Sequence, residues 1–225
     1  MFKYLHLSLI FSALTISFSN VHGALPELAL SLEEPSWSFL IDNQSSQATE
    51  LSDDERRYLR ELQPALQQAD YDAAERSLNQ RSSSDDSAAF SLLRGQILLA
   101  NGKDQQAIVH LKKAVESHPD FAASQRSLGL AYLRTDNSKL ARQHLQKAIE
   151  LGDQSAQLYG QLAYLNLREG MASSAISGYQ QALFLDADNE EWARGLLYAL
   201  TRAEALPQAQ ALAEQLLEKQ SSSKE

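Results

Sequence analysis

The chain has 225 residues, 44% hydrophobic and 22% charged, with a formal net charge of −9 and no cysteine. That length suits one or two globular domains. The missing cysteine excludes disulfides, thiolate metal sites and thiol nucleophiles. The negative balance counts against a nucleic-acid partner, whose phosphates need a positive field.

The N-terminus reads as a secretory signal. Lys3 supplies a short basic region, and Leu5 to Phe18 is almost uncharged. A run of about 14 apolar residues is the length of a signal core, whereas a membrane span needs ~20. Small residues follow at Val21-His22-Gly23-Ala24, so residues 1–23 are expected to be removed after Gly23. An uncleaved anchor is the alternative. The mature protein is then exported, to a bacterial periplasm on this reading, and folds without disulfides.

Residues 24–50 show no period. Glu27, Glu33, Glu34, Asp42 and Glu50 are interleaved with Pro26 and Pro35. This is the composition of an acidic, partly disordered leader. Within it Trp37-Ser38-Phe39-Leu40-Ile41 alternates large apolar residues. Such side chains are costly to leave in water, so part of the leader is expected to dock.

Residues 51–87 read as a degenerate helical hairpin. Leu59, Leu62, Leu66 and Leu78 supply its apolar positions, and Tyr71-Asp72-Ala73-Ala74 begins its second helix. The run Arg81-Ser82-Ser83-Ser84-Asp85-Asp86-Ser87 then reads either as a loop that caps the next helix or as a hinge.

From residue 88 the chain repeats itself. Ala107, Ala141, Ala175 and Ala209 stand 34 apart, as do Ala114, Ala148 and Ala182, and Leu111, Leu145 and Tyr179. Val115, Ile149, Leu183 and Leu217 form a fourth series, and Gly95 and Gly129 share the spacing. Self-similarity at a fixed period marks stacked supersecondary units, because one hairpin cannot bury its own apolar face. Gly102 and Gly170 fall where a first helix should end in a left-handed residue, with Asp136 and Glu204 at the same place in the other copies. The units are 88–121, 122–155, 156–189 and a divergent 190–219, with 220–225 a disordered tail.

This pattern resembles the tetratricopeptide repeat. Leu128-Gly129, Tyr132, Ala141, Leu145 and Ala148 match that family's signature in one copy; Gly95, Ala107, Leu111, Ala114 and Pro119 match it in another. The resemblance implies an all-α, right-handed superhelical solenoid of about five helical hairpins that binds protein segments along the first helices. Carried over residue by residue, the groove positions are Leu92, Gln96, Leu99, Arg126, Leu130, Leu133, Arg134, Tyr164, Leu167, Arg168, Arg194, Tyr198 and Arg202. Arg134, Arg168 and Arg202 form a ladder at steps of 34. Arginine offers a planar fork to carboxylates, and tyrosine packs over backbone at low entropy cost. A cation at the end of a helix also complements the helix dipole by ~0.3–1 kcal/mol without any ligand.

No motif for a nucleophile elbow, nucleotide loop, zinc helix or dinucleotide fold occurs. No catalytic, cofactor or metal site is therefore assigned, and the chain is read as a non-enzyme. His110 and His144, 34 apart on second helices, are expected to be solvated surface residues. Asp186, Asp188, Glu190 and Glu191 are read as an inter-repeat turn that caps the next helix.

The expected function is an extracytoplasmic scaffold or adaptor for an extended acidic peptide, with no nucleic-acid partner. Membrane association is expected only through a partner or an uncleaved signal. The stretches Leu158–Leu167, Ser177–Asp186 and Gly195–Leu200 also resemble repeat proteins of TonB-type energy-transduction systems, which implies an accessory of an inner-membrane assembly. A periplasmic chaperone-like carrier, a regulator of cell-envelope enzymes, and a solenoid that self-assembles as a homodimer through its C-terminal repeat are the alternatives. The acidic piece 27–61, nine acidic against three basic residues, is a further candidate occupant of the arginine groove.

Overall fold

The computed structural model describes residues 51–82 and 84–222, the side chains of Gln220 and Ser222 excepted. The signal, the acidic leader and the end of the tail lie outside the described residues. Among the described residues there are ten helices and no strand: α1 (Asp53–Gln67), α2 (Tyr71–Leu78), α3 (Ala88–Ala100), α4 (Asp104–Ser117), α5 (Ala122–Arg134), α6 (Ser138–Glu150), α7 (Ala156–Arg168), α8 (Ala172–Leu185), α9 (Glu190–Arg202) and α10 (Leu206–Ser222). They follow one another as five hairpins. The contacts define two compact units, residues 51–161 and residues 162–222, divided within α7.

One turn closes every hairpin. Gly102, Asp136, Gly170 and Glu204 have φ of 70°, 60°, 78° and 58°, and Ala69 ends the first helix of the first hairpin at 52°. In each case the next residue's N–H reaches back five residues: Asp70 to the Ala65 carbonyl at 2.9 Å, Lys103 to Leu98, Asn137 to Tyr132 and Met171 to Asn166 at 2.8 Å, and Ala205 to Leu200 at 2.9 Å. This satisfies carbonyls that the helix end leaves without partners.

The small residues of the period set how closely the helices approach. A Cβ on Gly95 would stand 2.5 Å from the Leu111 side chain, and one on Gly129 would stand 2.7 Å from Leu145. Both pairs lie within one hairpin. In unit 156–189 the size exchange moves: Tyr179 replaces the leucine, Ala163 replaces the glycine, and a Cβ on Gly195 of α9 would meet the Tyr179 ring at 2.4 Å. The aligned alanines Ala107, Ala141 and Ala175 are fully buried, and so are Leu111 and Leu145. The fourth series does not share that core, since Ile149 is 38% exposed.

The first hairpin is built into the array through buried charge. Glu55 closes a capping box on Ser52 and also accepts the Ser87 N–H at 2.8 Å, so one carboxylate serves the starts of α1 and α3. Ser87 in turn caps α3, accepting from Phe90 N at 3.1 Å. Buried Asp86 pairs with Arg81 and with Arg94, whose Nη1 donates to the Leu78 carbonyl at 3.0 Å. The segment after α2 is therefore a capped and pinned loop. Beneath it Leu59, Leu62, Leu66, Leu78, Phe90, Leu93 and Ile97 share one core.

The histidines depart from expectation. His144 is half-buried, stacks on Tyr132 at 5.5 Å and meets Gln125 Oε1 through Nδ1 at 2.7 Å. Both Tyr132 and Gln125 belong to α5, so His144 is part of its own hairpin's packing. Burial holds His144 below its ordinary value of 6.5, and burial with nearby Arg94 does the same for His110. At the acidic turn, Asn189 caps α9 by accepting from Glu191 N and Trp192 N, and Asp188 pairs with Lys219 at 2.8 Å.

Two predictions follow from this packing. Gly195→Ala gains up to ~1 kcal/mol of helix propensity but forces a contact worth ~1–3 kcal/mol of strain, so it should destabilise. Tyr179→Leu should relieve that strain, so urea denaturation of the two single variants and the double variant should give costs that do not add. Additive costs would place the clash elsewhere. For His144 the depressed value means that the unfolded chain binds the proton more tightly. Its contribution is complete above about pH 6.5 and is lost as the pH falls below that value. The urea midpoint should drop between about pH 7 and pH 5.5, and His144→Gln should flatten that drop.

Candidate functional site

The residues assigned to the groove all lie on first helices, but they fall into three environments. Leu92, Gln96 and Leu99 on α3, Leu130 and Leu133 on α5, and Leu167 on α7 are buried. Tyr164, Arg168 and Tyr198 are half-buried, and Arg194 and Arg202 are exposed. Arg126 and Arg134 are held in ion pairs.

Those two arginines have another task than the one read from the ladder. Arg134 Nε lies 2.9 Å from Asp104 Oδ1, and its Nη1 donates to the Leu99 carbonyl at 3.3 Å. It thus clasps the last turn of α3 and the first residue of α4. A cation against the one helix end and an acid at the start of the other both suit the helix dipoles. Arg126 Nε lies 3.0 Å from Asp153, and its Nη1 donates to Ser155 Oγ at 3.1 Å, which ties α5 to the turn before α7. Reading the sequence by period alone misses Asp104 and Asp153. The only signal was an acid at the first residue of a second helix, where the equivalent positions hold Ser138, Ala172 and Leu206.

The C-terminal unit presents a different picture. Residues 162–222 carry four basic against eight acidic side chains. Three of the four are Arg168, Arg194 and Arg202, all on first helices; the fourth, Lys219, pairs with Asp188. On α9, Arg194, Tyr198 and Arg202 recur every fourth residue and share one side of the helix. On α7 the Arg168 guanidinium lies 5.9 Å from the centre of the Tyr164 ring, within range of a cation–π contact. This is a surface of planar cations and aromatic rings in a unit that is otherwise acidic. It suits carboxylates and backbone better than any proton-transfer chemistry.

Among the described residues no group of three or more His, Asp or Glu side chains is placed to hold a metal. No helix of the described residues is long and apolar enough to cross a membrane.

Comparison with known proteins agrees with the geometry. A tetratricopeptide-repeat family model matches residues 59–111 and again 92–156. No curated protein matches the chain in sequence. Among solved structures, MamA from Desulfovibrio magneticus RS-1 (residue 41 to its end) is similar at a TM-score of 0.64 and 20% identity, over 77% of this chain and 98% of that one. A further MamA structure is similar at a TM-score of 0.61 and 23% identity, over 72% of this chain and 95% of that one. Neither is named for a TonB-type system. The hairpin turns, the glycine-mediated helix crossings and the family match agree: residues 59–156 carry tetratricopeptide repeats, and the fold is an all-α helical solenoid.

Proposed function

We propose that this protein is an interaction scaffold that takes an extended acidic peptide on the first helices of its C-terminal unit. The observation that carries this is the placement of charge. In residues 162–222 every arginine lies on a first helix, with Tyr164 and Tyr198 beside them, and of the eight acids only Glu190 and Glu191 share a first helix, in the opening turn of α9. Arginine forks pair with carboxylates in bidentate fashion, and tyrosines contribute rigid contact area. Leu92, Leu99, Leu130, Leu133 and Leu167 then act as packing residues, and Arg126 and Arg134 as braces.

The signal-like residues 1–23 support an extracytoplasmic setting, and the likeness to repeat proteins of TonB-type systems makes an inner-membrane transport assembly the first place to seek the partner. The peptide reading is tested with a fluorescein-labelled glutamate-rich peptide and anisotropy. Binding should weaken with salt, and changing Arg168, Arg194 and Arg202 together to Gln should weaken it by about tenfold or more, since charged hydrogen bonds are worth ~1.5–3 kcal/mol each. Arg134→Gln should lower the urea midpoint and leave peptide affinity unchanged. Equal affinity in the triple variant and the parent would overturn the reading.

The exposed apolar residues of the same unit favour a second reading, association of two copies through the last hairpins. Phe184 is 83% exposed, Leu206 53% and Leu185 45%. Light scattering after size exclusion should then show a mass that rises with concentration and returns to the monomer in Phe184→Glu. A constant monomer mass removes this reading.

A further inference from the structure

The turn between α3 and α4 holds the one Asn-Gly pair of the chain, Asn101-Gly102. The other hairpin turns carry Gln68-Ala69, Thr135-Asp136, Glu169-Gly170 and Ala203-Glu204 at that place. An Asn-Gly pair is chemically labile. The main-chain nitrogen of Gly102, unhindered because glycine has no Cβ, can attack Asn101 Cγ. An N–Cγ bond forms, the Cγ–Nδ2 bond breaks, and the side-chain amide leaves as ammonia with the proton of the attacking nitrogen. Water then opens the five-membered imide at either carbonyl and leaves an aspartate or an isoaspartate. One water enters, one ammonia leaves, and nothing is oxidised or reduced.

The fold holds this pair out of reaction. Asn101 has a ψ of 8°, and closing the ring requires that torsion to turn far from this value. The turn would break the bond from Gly102 N–H to the Leu99 carbonyl, 3.0 Å long. The leaving amide is pinned as well. Half-buried Asn101 donates through Nδ2 to the Tyr71 carbonyl at 3.1 Å and to Glu75 Oε2 at 2.5 Å. Both acceptors belong to α2 of the first hairpin. Lys103 Nζ pairs with the other oxygen of the same carboxylate. Burial alone would raise Glu75, yet the bonds from Lys103 and Asn101 hold it below its ordinary value of 4.5, so an anion faces the Asn101 amide at neutral pH. α2 has eight residues and is the shortest of the ten helices. A helix so short does not stand alone in water, so the guard exists only while α2 is docked.

We propose that Asn101 is a latent modification site, guarded by α2 and deamidated when the first hairpin opens, and that the change then bars the hairpin from closing as before. The product lacks the two N–H donors and sets a second carboxylate against Glu75. Like charges in so close and partly buried a contact repel. An isoaspartate also adds a methylene to the main chain of the turn, beside a Gly102 held at a φ of 70°. An opening that was reversible thereby becomes one-way. The site stands on residues of the N-terminal unit, apart from the arginines of α7 and α9.

The full-length protein, aged at neutral pH across a urea series and digested with trypsin, yields the peptide Gly95–Lys103 for mass spectrometry beside a synthetic copy of that peptide. Without urea, Asn101 should convert about tenfold or more slowly than in the free peptide, and urea should bring it toward the free rate. Glu75→Ala should speed conversion several-fold without urea. A folded parent that converts as fast as the peptide, or a folded Glu75→Ala that converts no faster than the parent, overturns the guard. Should Glu75→Ala fail to fold, the urea series on the parent decides by itself. Hydrogen exchange reads the consequence. Asn101→Asp should lose protection in α1 and α2 beyond the loss in Asn101→Ala, which removes the same bonds without adding charge, while α4 to α6 keep theirs. Equal losses in the two variants, or none, overturn the barred closure.

Discussion

The closest approach between helices governs the rest of this structure. Where Gly95 faces Leu111 and Gly129 faces Leu145, even a methyl group would overlap its neighbour. Interiors are packed to crystal-like density, so such contacts are not adjusted by small shifts. They fix how far apart the two helices of a hairpin lie, and hence where the next hairpin must be placed to cover the exposed apolar side. The 34-residue period is the sequence record of that constraint. The left-handed turn residues obey it too. Asp136 and Glu204 hold a φ near 60°, which costs an L-residue about 1–2 kcal/mol relative to glycine, because the hairpin geometry leaves no other way to return the chain.

A second device joins the degenerate first hairpin to this array. Arg94 occupies the place that Leu128, Leu162 and Leu196 hold in later units. An apolar signature position has been exchanged for a cation that reaches buried Asp86 and the last turn of α2. Buried ion pairs often contribute little net stability, because desolvation offsets attraction. Their geometry is demanding, however, and it suits a contact that must set register. Glu55 works in the same sense from the other side, since it closes its own cap and also receives Ser87 N–H. The apparent hinge at residues 81–87 is thereby held at both ends.

What could be read in the sequence was whatever the period repeats. Ala107, Leu111 and Gly95 announce the helix crossing because their equivalents recur, and Gly102 and Gly170 announce the turn. What could not be read was whatever happens once. The clasp of Arg134 depends on Asp104, and that of Arg126 on Asp153 with Ser155. None of these partners recurs in register. His144 was misjudged for the same reason: its stack on Tyr132 and its bond to Gln125 belong to one hairpin alone. The start of the chain and the signal reading fall outside the described residues.

The ladder shows why periodicity alone misleads about function. Arg134, Arg168 and Arg202 are equivalent by position, yet only Arg134 has an acid waiting at the start of a second helix. The residues equivalent to Asp104 are Ser138, Ala172 and Leu206. A charge whose field is cancelled by a neighbour about 3 Å away projects little into solvent. Arg134 is thus turned to bracing its own neighbours, which its place in the repeat does not by itself specify. The deciding residue is not in the ladder at all. It is the single aspartate that breaks the period, Asp104, where Ser138, Ala172 and Leu206 stand in the other copies.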